Sequence, residues 1–152
     1  MLDGRVAWAR DGPVAERVPH VVMNTALEGK TYEAVTLNVD AGFVARFALA
    51  VGDDGSFVPP TIVTAPEIVA GLDHLVADED LGLDFSRLVH GDQEYEWLRP
   101  IRVGDVLVVE STIESIRFKG GHEFLTLRTE MHDEAGDMVV IARTGLIVRG
   151  EP

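Results

Sequence analysis

The stretch TAPEIVAGLDHLVA, residues 64–77, decides the fold. Its first four residues fit a capping box, with Thr64 as N-cap and Glu67 at the third helical position. Pro66 falls in the first turn, where its missing N–H costs nothing. Ile68, Leu72, Leu75 and Val76 share one helical face, with Val69 alongside. Only Asp73 and His74 interrupt the apolar middle, so the helix is predicted to be mostly buried. Gly71 costs about 1 kcal/mol relative to alanine in a helix. A close approach by another backbone is therefore expected at that point.

After this helix the period of the chain changes to two. Gln93, Tyr95 and Trp97 share a face opposite Glu94, Glu96 and Leu98, and Pro100 ends the strand. Asp105 to Phe118 reads as a long strand, and Lys119-Gly120-Gly121 as a turn. In His122 to His132, Leu125, Leu127 and Met131 oppose Thr126, Arg128 and Glu130. Asp133 to Asp137 turns the chain, and Met138 to Arg149 alternates again. Three long strands joined by short loops predict an antiparallel meander.

Before the helix, Tyr32 to Val39 reads as a strand. Asp40 is a good N-cap for AGFVARFALAV, residues 41–51, and Gly52 sits where a helix ends left-handed. Residues 1–27 hold no lasting period and carry Gly12-Pro13 and Pro19, so they read as an N-terminal extension. The domain is expected over 28–150, with order beginning near Gly29. The plan is α+β, a curved antiparallel sheet around one long, mostly apolar central helix.

Composition narrows the function. Against 13 basic residues stand 26 acidic ones, a formal net charge of −13. That field repels phosphate backbones, and no Lys/Arg cluster breaks it, which argues against nucleic acid. It also repels coenzyme A or an acidic carrier at long range, so such a ligand would need local arginines. The chain has no cysteine, which removes disulfides, thiolate metal sites and a cysteine nucleophile. No apolar run approaches the length of a membrane span, and the start MLDGRVAWARDG has no apolar signal segment. A cytoplasmic location is the expectation. Mean hydropathy of +0.11 is high for so charged a chain, which favours an oligomer.

The element order and four local segments carry a family resemblance. HGDQEYEWLRPIRVGDVL, residues 90–107, resembles the N-terminal-half type of the MaoC-like dehydratases, which have the hot-dog fold. FVARFALAVGDD resembles that family's first helix and its Gly-Asp exit. VPPTIV resembles the entry to its central helix, and EAGDMVVIARTGLIVRG its closing hairpin. The resemblance spans about Gly29 to Gly150. It implies hydration or dehydration of 3-hydroxyacyl thioesters on coenzyme A or acyl carrier protein, with no cofactor or metal. It also implies assembly from two hot-dog halves, one carrying the chemistry and the other shaping the acyl tunnel.

The chemistry such enzymes perform takes a proton from C2 and moves hydroxide at C3, for which a carboxylate and an imidazole can share one water. Catalytic members of the family resemble one another in Gly-Asp-x-Asn-Pro-x-His. Laid on this chain, Gly52 and Asp53 match, Gly55 and Ser56 replace the Asn and Pro, and Val58 stands where the His belongs. A valine neither holds a proton nor orients water. Asp53 is then either a surviving acid or a turn residue beside Asp54.

Other candidates each have a plainer account. Thr61 and Thr64 lie at the helix entry, where backbone N–H groups can polarise a thioester carbonyl, although Thr64 capping its own helix needs no ligand. His90 can assist at a partner's cleft or bond backbone in a loop before the strand. Tyr95 and Trp97 can line an acyl tunnel or form ordinary core. Arg99 and Arg102 can meet a phosphate or pair on the surface. His74 fits a satisfied core or interface position, and His20, His122 and His132 show no metal-ligand spacing.

The expectation is a tunnel-forming subunit of a (3R)-hydroxyacyl-thioester dehydratase or enoyl-thioester hydratase, inactive alone and paired with a catalytic hot-dog chain. Two rivals remain open: a self-sufficient hydratase or thioesterase, and a non-catalytic acyl-thioester binding protein paired with itself.

Overall fold

In the computed structural model, residues 22–150 are described, and the first 21 residues of the expected extension lie outside them. Strand β1 is Val35–Asn38, shorter than the Tyr32–Val39 read from the sequence. Thr31 contributes only an isolated bridge to Thr112. The Asp40 carboxylate then accepts from the Phe43 amide at 2.7 Å, capping α1, Ala41–Val51. Gly52 closes α1 at φ 75°, the left-handed conformation that favours glycine.

The central helix is continuous but not uniform. A 3₁₀ turn, Pro60–Val63, leads into α2, Thr64–Glu67; a π segment, Ile68–Leu72, leads into α3, Asp73–Ala77. The expected capping box does not form. Val63 already has helical dihedrals, and the Thr64 hydroxyl donates backwards to the Thr61 carbonyl at 2.9 Å. The 3₁₀ turn supplies the start that Thr64 was expected to cap, which frees Glu67 to point elsewhere. The buried face also differs from expectation. Leu75 is buried, but Ile68 and Val76 are 49% and 51% exposed, while Glu67, Ala70 and Gly71 face inward. A π segment adds a residue to the turn and so shifts which side chains follow the inner face.

Gly71 shows why that inner face is small. A Cβ there would lie 2.6 Å from Leu127 Cδ2 and 3.2 Å from Ser111 Oγ. Side chains of the sheet make the close approach, in place of the backbone that was expected.

Among the described residues the sheet has five antiparallel strands in the order β1-β3-β4-β5-β2. Here β2 is Leu88–Trp97, β3 Val106–Lys119, β4 His122–His132 and β5 Met138–Val148. The predicted meander is β3-β4-β5, and β2 returns antiparallel to β5 at the sheet margin. Strand β2 begins five residues earlier than Gln93, so His90 lies in a strand and not in a loop, beside a register shift between His90 and Asp92. This is the hot-dog arrangement, a curved sheet around a central helix.

Two apolar clusters fill the space between helix and sheet. One gathers Val63, Ala70, Leu107, Met131 and Val140; the other gathers Leu75, Leu81, Ile113, Leu125 and Leu127. Met23 is buried in the second, and its amide donates to Glu123, so packing begins upstream of Gly29. Among the described residues, no helix is long and apolar enough to cross a membrane.

Candidate functional site

Glu67 turns inward from the end of α2, and only 7% of it is exposed. Burying a carboxylate is costly unless donors surround it. Three do. Gln93 Nε2 donates to Oε1 at 2.9 Å, Tyr95 Oη donates to Oε2 at 2.8 Å, and the Thr144 hydroxyl donates to Oε1. Gln93 and Tyr95 reach it because alternate residues of β2 share a face, and Thr144 pairs with Gln93 across the β2–β5 ladder. Burial, then the hydrogen bond and charge of Glu67, push the Tyr95 phenol well above its ordinary value.

The network extends to His90. Because a carboxylate only accepts, Gln93 must present its NH2 to Glu67 and its carbonyl oxygen to His90. His90 Nε2, 3.1 Å from that oxygen, is therefore the protonated nitrogen.

Beside this network lies a cavity of about 520 Å³ between the central helix and the sheet. Thr64, Glu67, His90, Gln93, Tyr95 and Thr144 supply its polar wall. Leu72, Leu75, Leu88, Leu127 and Leu146 supply its apolar wall, with Phe85 at 58% exposure. A mostly apolar hollow with a few convergent polar groups is the usual form of a small-molecule site.

The other sequence candidates lie elsewhere. Val58, Trp97 and Arg99 border a second groove of about 450 Å³, with Pro59, Pro60 and Ile62. Val58 packs against the first apolar cluster. Asp53 borders a third, smaller hollow beside α1, and its carboxylate accepts from the Gly55 amide at 2.8 Å. That is the geometry of a turn aspartate. The four described histidines are engaged away from it: His74 Nδ1 with the Ala70 carbonyl, His90 with Gln93, His122 with the Gly150 amide, and His132 with the Gly136 carbonyl. His20 lies outside the described residues. Thr61 is exposed at the helix entry, and Arg102 is exposed with its amide donating to Asp105.

Arg99 is held by two carboxylates, Asp105 at 2.8 Å and Asp133 at 3.1 Å. The Asp105 hydrogen bond, with that of Asp133, raises its guanidinium further above the ordinary value. Desolvation opposes ionisation of Asp105, yet the Arg99 hydrogen bond and the Arg102 amide outweigh it and hold Asp105 low. Thus Thr64, His90 and Tyr95 meet at one cavity, while Asp53, Val58, Trp97, Arg99, Thr61 and Arg102 do not join them. Glu67 was read from the sequence only as a capping residue. The missed signal was the Gln93-x-Tyr95 face, two donors with no acceptor assigned.

Residues 54–142 match the family model described as FAS1-like, dehydratase domain region. The chain belongs to that family. The UPF0336 protein SCO4636 of Streptomyces coelicolor is 46% identical over 105 residues, which is 69% of either chain. Among solved structures, the C-terminally truncated HadBC (3R-hydroxyacyl-ACP dehydratase) complex of Mycobacterium tuberculosis matches with a TM-score of 0.67. That match has 22% identity and covers 80% of this chain and 96% of that one. The R-hydratase PhaJ1 of Pseudomonas aeruginosa matches at TM-score 0.56 and 16% identity, covering 82% and 83%. At these identities the structures establish the fold, and the dehydratase-domain family membership rests on the sequence match. It agrees with the MaoC-like resemblance of residues 90–107.

Proposed function

We propose that this chain is the acyl-channel half of a (3R)-hydroxyacyl-thioester dehydratase or enoyl-thioester hydratase, completed by a catalytic hot-dog partner. Its ligands would be acyl thioesters of coenzyme A or acyl carrier protein. One observation supports the reading: a leucine-walled cavity lies between helix and sheet, while Val58, which the motif comparison sets at the family's imidazole, packs against the first apolar cluster beside a separate groove. A hollow is kept and the proton carrier is not.

The partner's place is supported by the sheet margin. Among the described residues β2 pairs only with β5, so alternate residues of this ten-residue edge strand turn their backbone groups away from the sheet. An edge this long invites another strand unless it is covered. Ile68, Val69 and Phe85 are exposed apolar side chains, two of them on the cavity wall. Such a patch favours a second protein surface. With the partner supplying a Gly-Asp-x-Asn-Pro-x-His pair, its carboxylate and imidazole would move the C2 proton and the C3 hydroxide. This chain would hold the acyl tail against Leu72, Leu75 and Leu146, and exclude water from it.

Mixing the purified chain with such a partner, followed by light scattering, tests the assembly. A complex of one copy of each is expected. Two species that remain separate at micromolar concentration, with this chain a stable homodimer, would instead favour a self-paired binding protein.

A further inference from the structure

We infer that Glu67 is a specificity determinant, a fixed negative charge that admits uncharged acyl groups to the cavity and turns away acyl carboxylates. The inference rests on the reading of the cavity as an acyl site. Glu67 cannot swing its charge out to water, because Gln93, Tyr95 and Thr144 hold both oxygens and the residue is 7% exposed. All three donors are neutral, so they solvate the charge without cancelling it. Among the described residues the cavity wall contains no Lys or Arg. Among the described residues its one imidazole is that of His90, which directs Nε2 to Gln93 and not to the carboxylate.

A second anion brought beside this one would meet a like charge in surroundings that screen poorly. A thioester, ester or amide carbonyl meets no such repulsion, and its aliphatic tail finds the leucine wall equally well. The discrimination therefore falls on the group that enters the cavity, not on the carrier outside it. Nothing in an apolar channel would require a carboxylate at this point. A neutral glutamine would accept from Tyr95 or Thr144 as well, at lower desolvation cost. The charge itself is the feature that needs a purpose.

Full-length protein is titrated with two ligands of one chain length, decanoate and the decanoyl thioester of N-acetylcysteamine, by displacement of a bound fluorescent probe. Any apolar cavity prefers the neutral ligand to some degree, so the readout is the affinity ratio in wild type against Glu67→Gln. The ratio should fall by about tenfold or more when the charge is removed, mainly through tighter binding of decanoate. Glu67→Met, of similar volume, is the second variant and should behave alike. An unchanged ratio in either folded variant overturns the inference. Equal affinity of the wild type for both ligands does so even where neither variant folds. If the wild type binds neither ligand, the proposed acyl site falls as well; if it binds both with a ratio indifferent to Glu67, only the charge filter falls.

Discussion

Tyr95 Oη donates to Glu67 Oε2 at 2.8 Å, tying the edge strand to the central helix along the cavity wall. The bond spans 28 residues of sequence and joins a side chain of β2 to one of α2. Removing either partner should therefore be felt in stability as well as in binding. Tyr95→Phe is expected to cost about 1.5–3 kcal/mol, the worth of a hydrogen bond to a charged group. Glu67→Ala should cost about 2–4 kcal/mol, because it strands three half-buried donors. Urea denaturation measures both, and the double variant should lose less than the sum. A Tyr95→Phe protein as stable as wild type would show that the bond contributes nothing.

The two tyrosines of the chain give a pH readout. Burial and Asp78 raise the Tyr32 phenol, as burial and Glu67 raise that of Tyr95. A group whose folded value is raised contributes stability that is complete below its unfolded value and lost as pH climbs toward the folded one. The native protein should therefore show no tyrosinate absorbance step near pH ~10, where free tyrosine ionises. The step should come at higher pH, together with loss of the circular dichroism signal. Two phenols ionising near the free value in a fully folded protein would contradict the packing around both.

Gly71 separates packing from helix propensity. Propensity alone favours Gly71→Ala by about 1 kcal/mol. The added Cβ, however, would sit 2.6 Å from Leu127 Cδ2, in a core where Ser111 is already bonded to Thr129 at 2.7 Å. Gly71→Ala should be destabilised by about 1 kcal/mol, and Gly71→Val by about 2–3 kcal/mol. A more stable alanine variant, read by thermal unfolding, would mean that the helix can lift from the sheet at no cost.

Much of this architecture was legible in the sequence, for physical reasons that differ by element. The alternation of Leu125, Leu127 and Met131, and the turns at Gly120-Gly121 and Gly136, are direct consequences of a half-buried antiparallel strand, and the meander followed. Asp40 and Gly52 bracket α1 as expected, because both act through local backbone geometry. The central helix was harder. Its existence is a local property, but its inward face depends on a π segment and on how near Leu127 and Ser111 come, which no window of residues encodes. Glu67 was misread for the same reason. A carboxylate three positions after a threonine satisfies a capping pattern locally, and only the folded sheet brings Gln93, Tyr95 and Thr144 to it. The placement of His90 in a strand depended likewise on pairing with Leu146 of β5.

The most direct measurement is hydration of a trans-2-enoyl thioester by this chain alone, by a Gly-Asp-x-Asn-Pro-x-His hot-dog partner alone, and by the two together. On the proposal that Val58 replaces the family's imidazole while a separate leucine-walled hollow takes the acyl chain, the isolated chain should be inactive, and the mixture should exceed the partner alone on longer acyl chains. Turnover by this chain alone, abolished by Asp53→Asn or His90→Ala, would contradict the account.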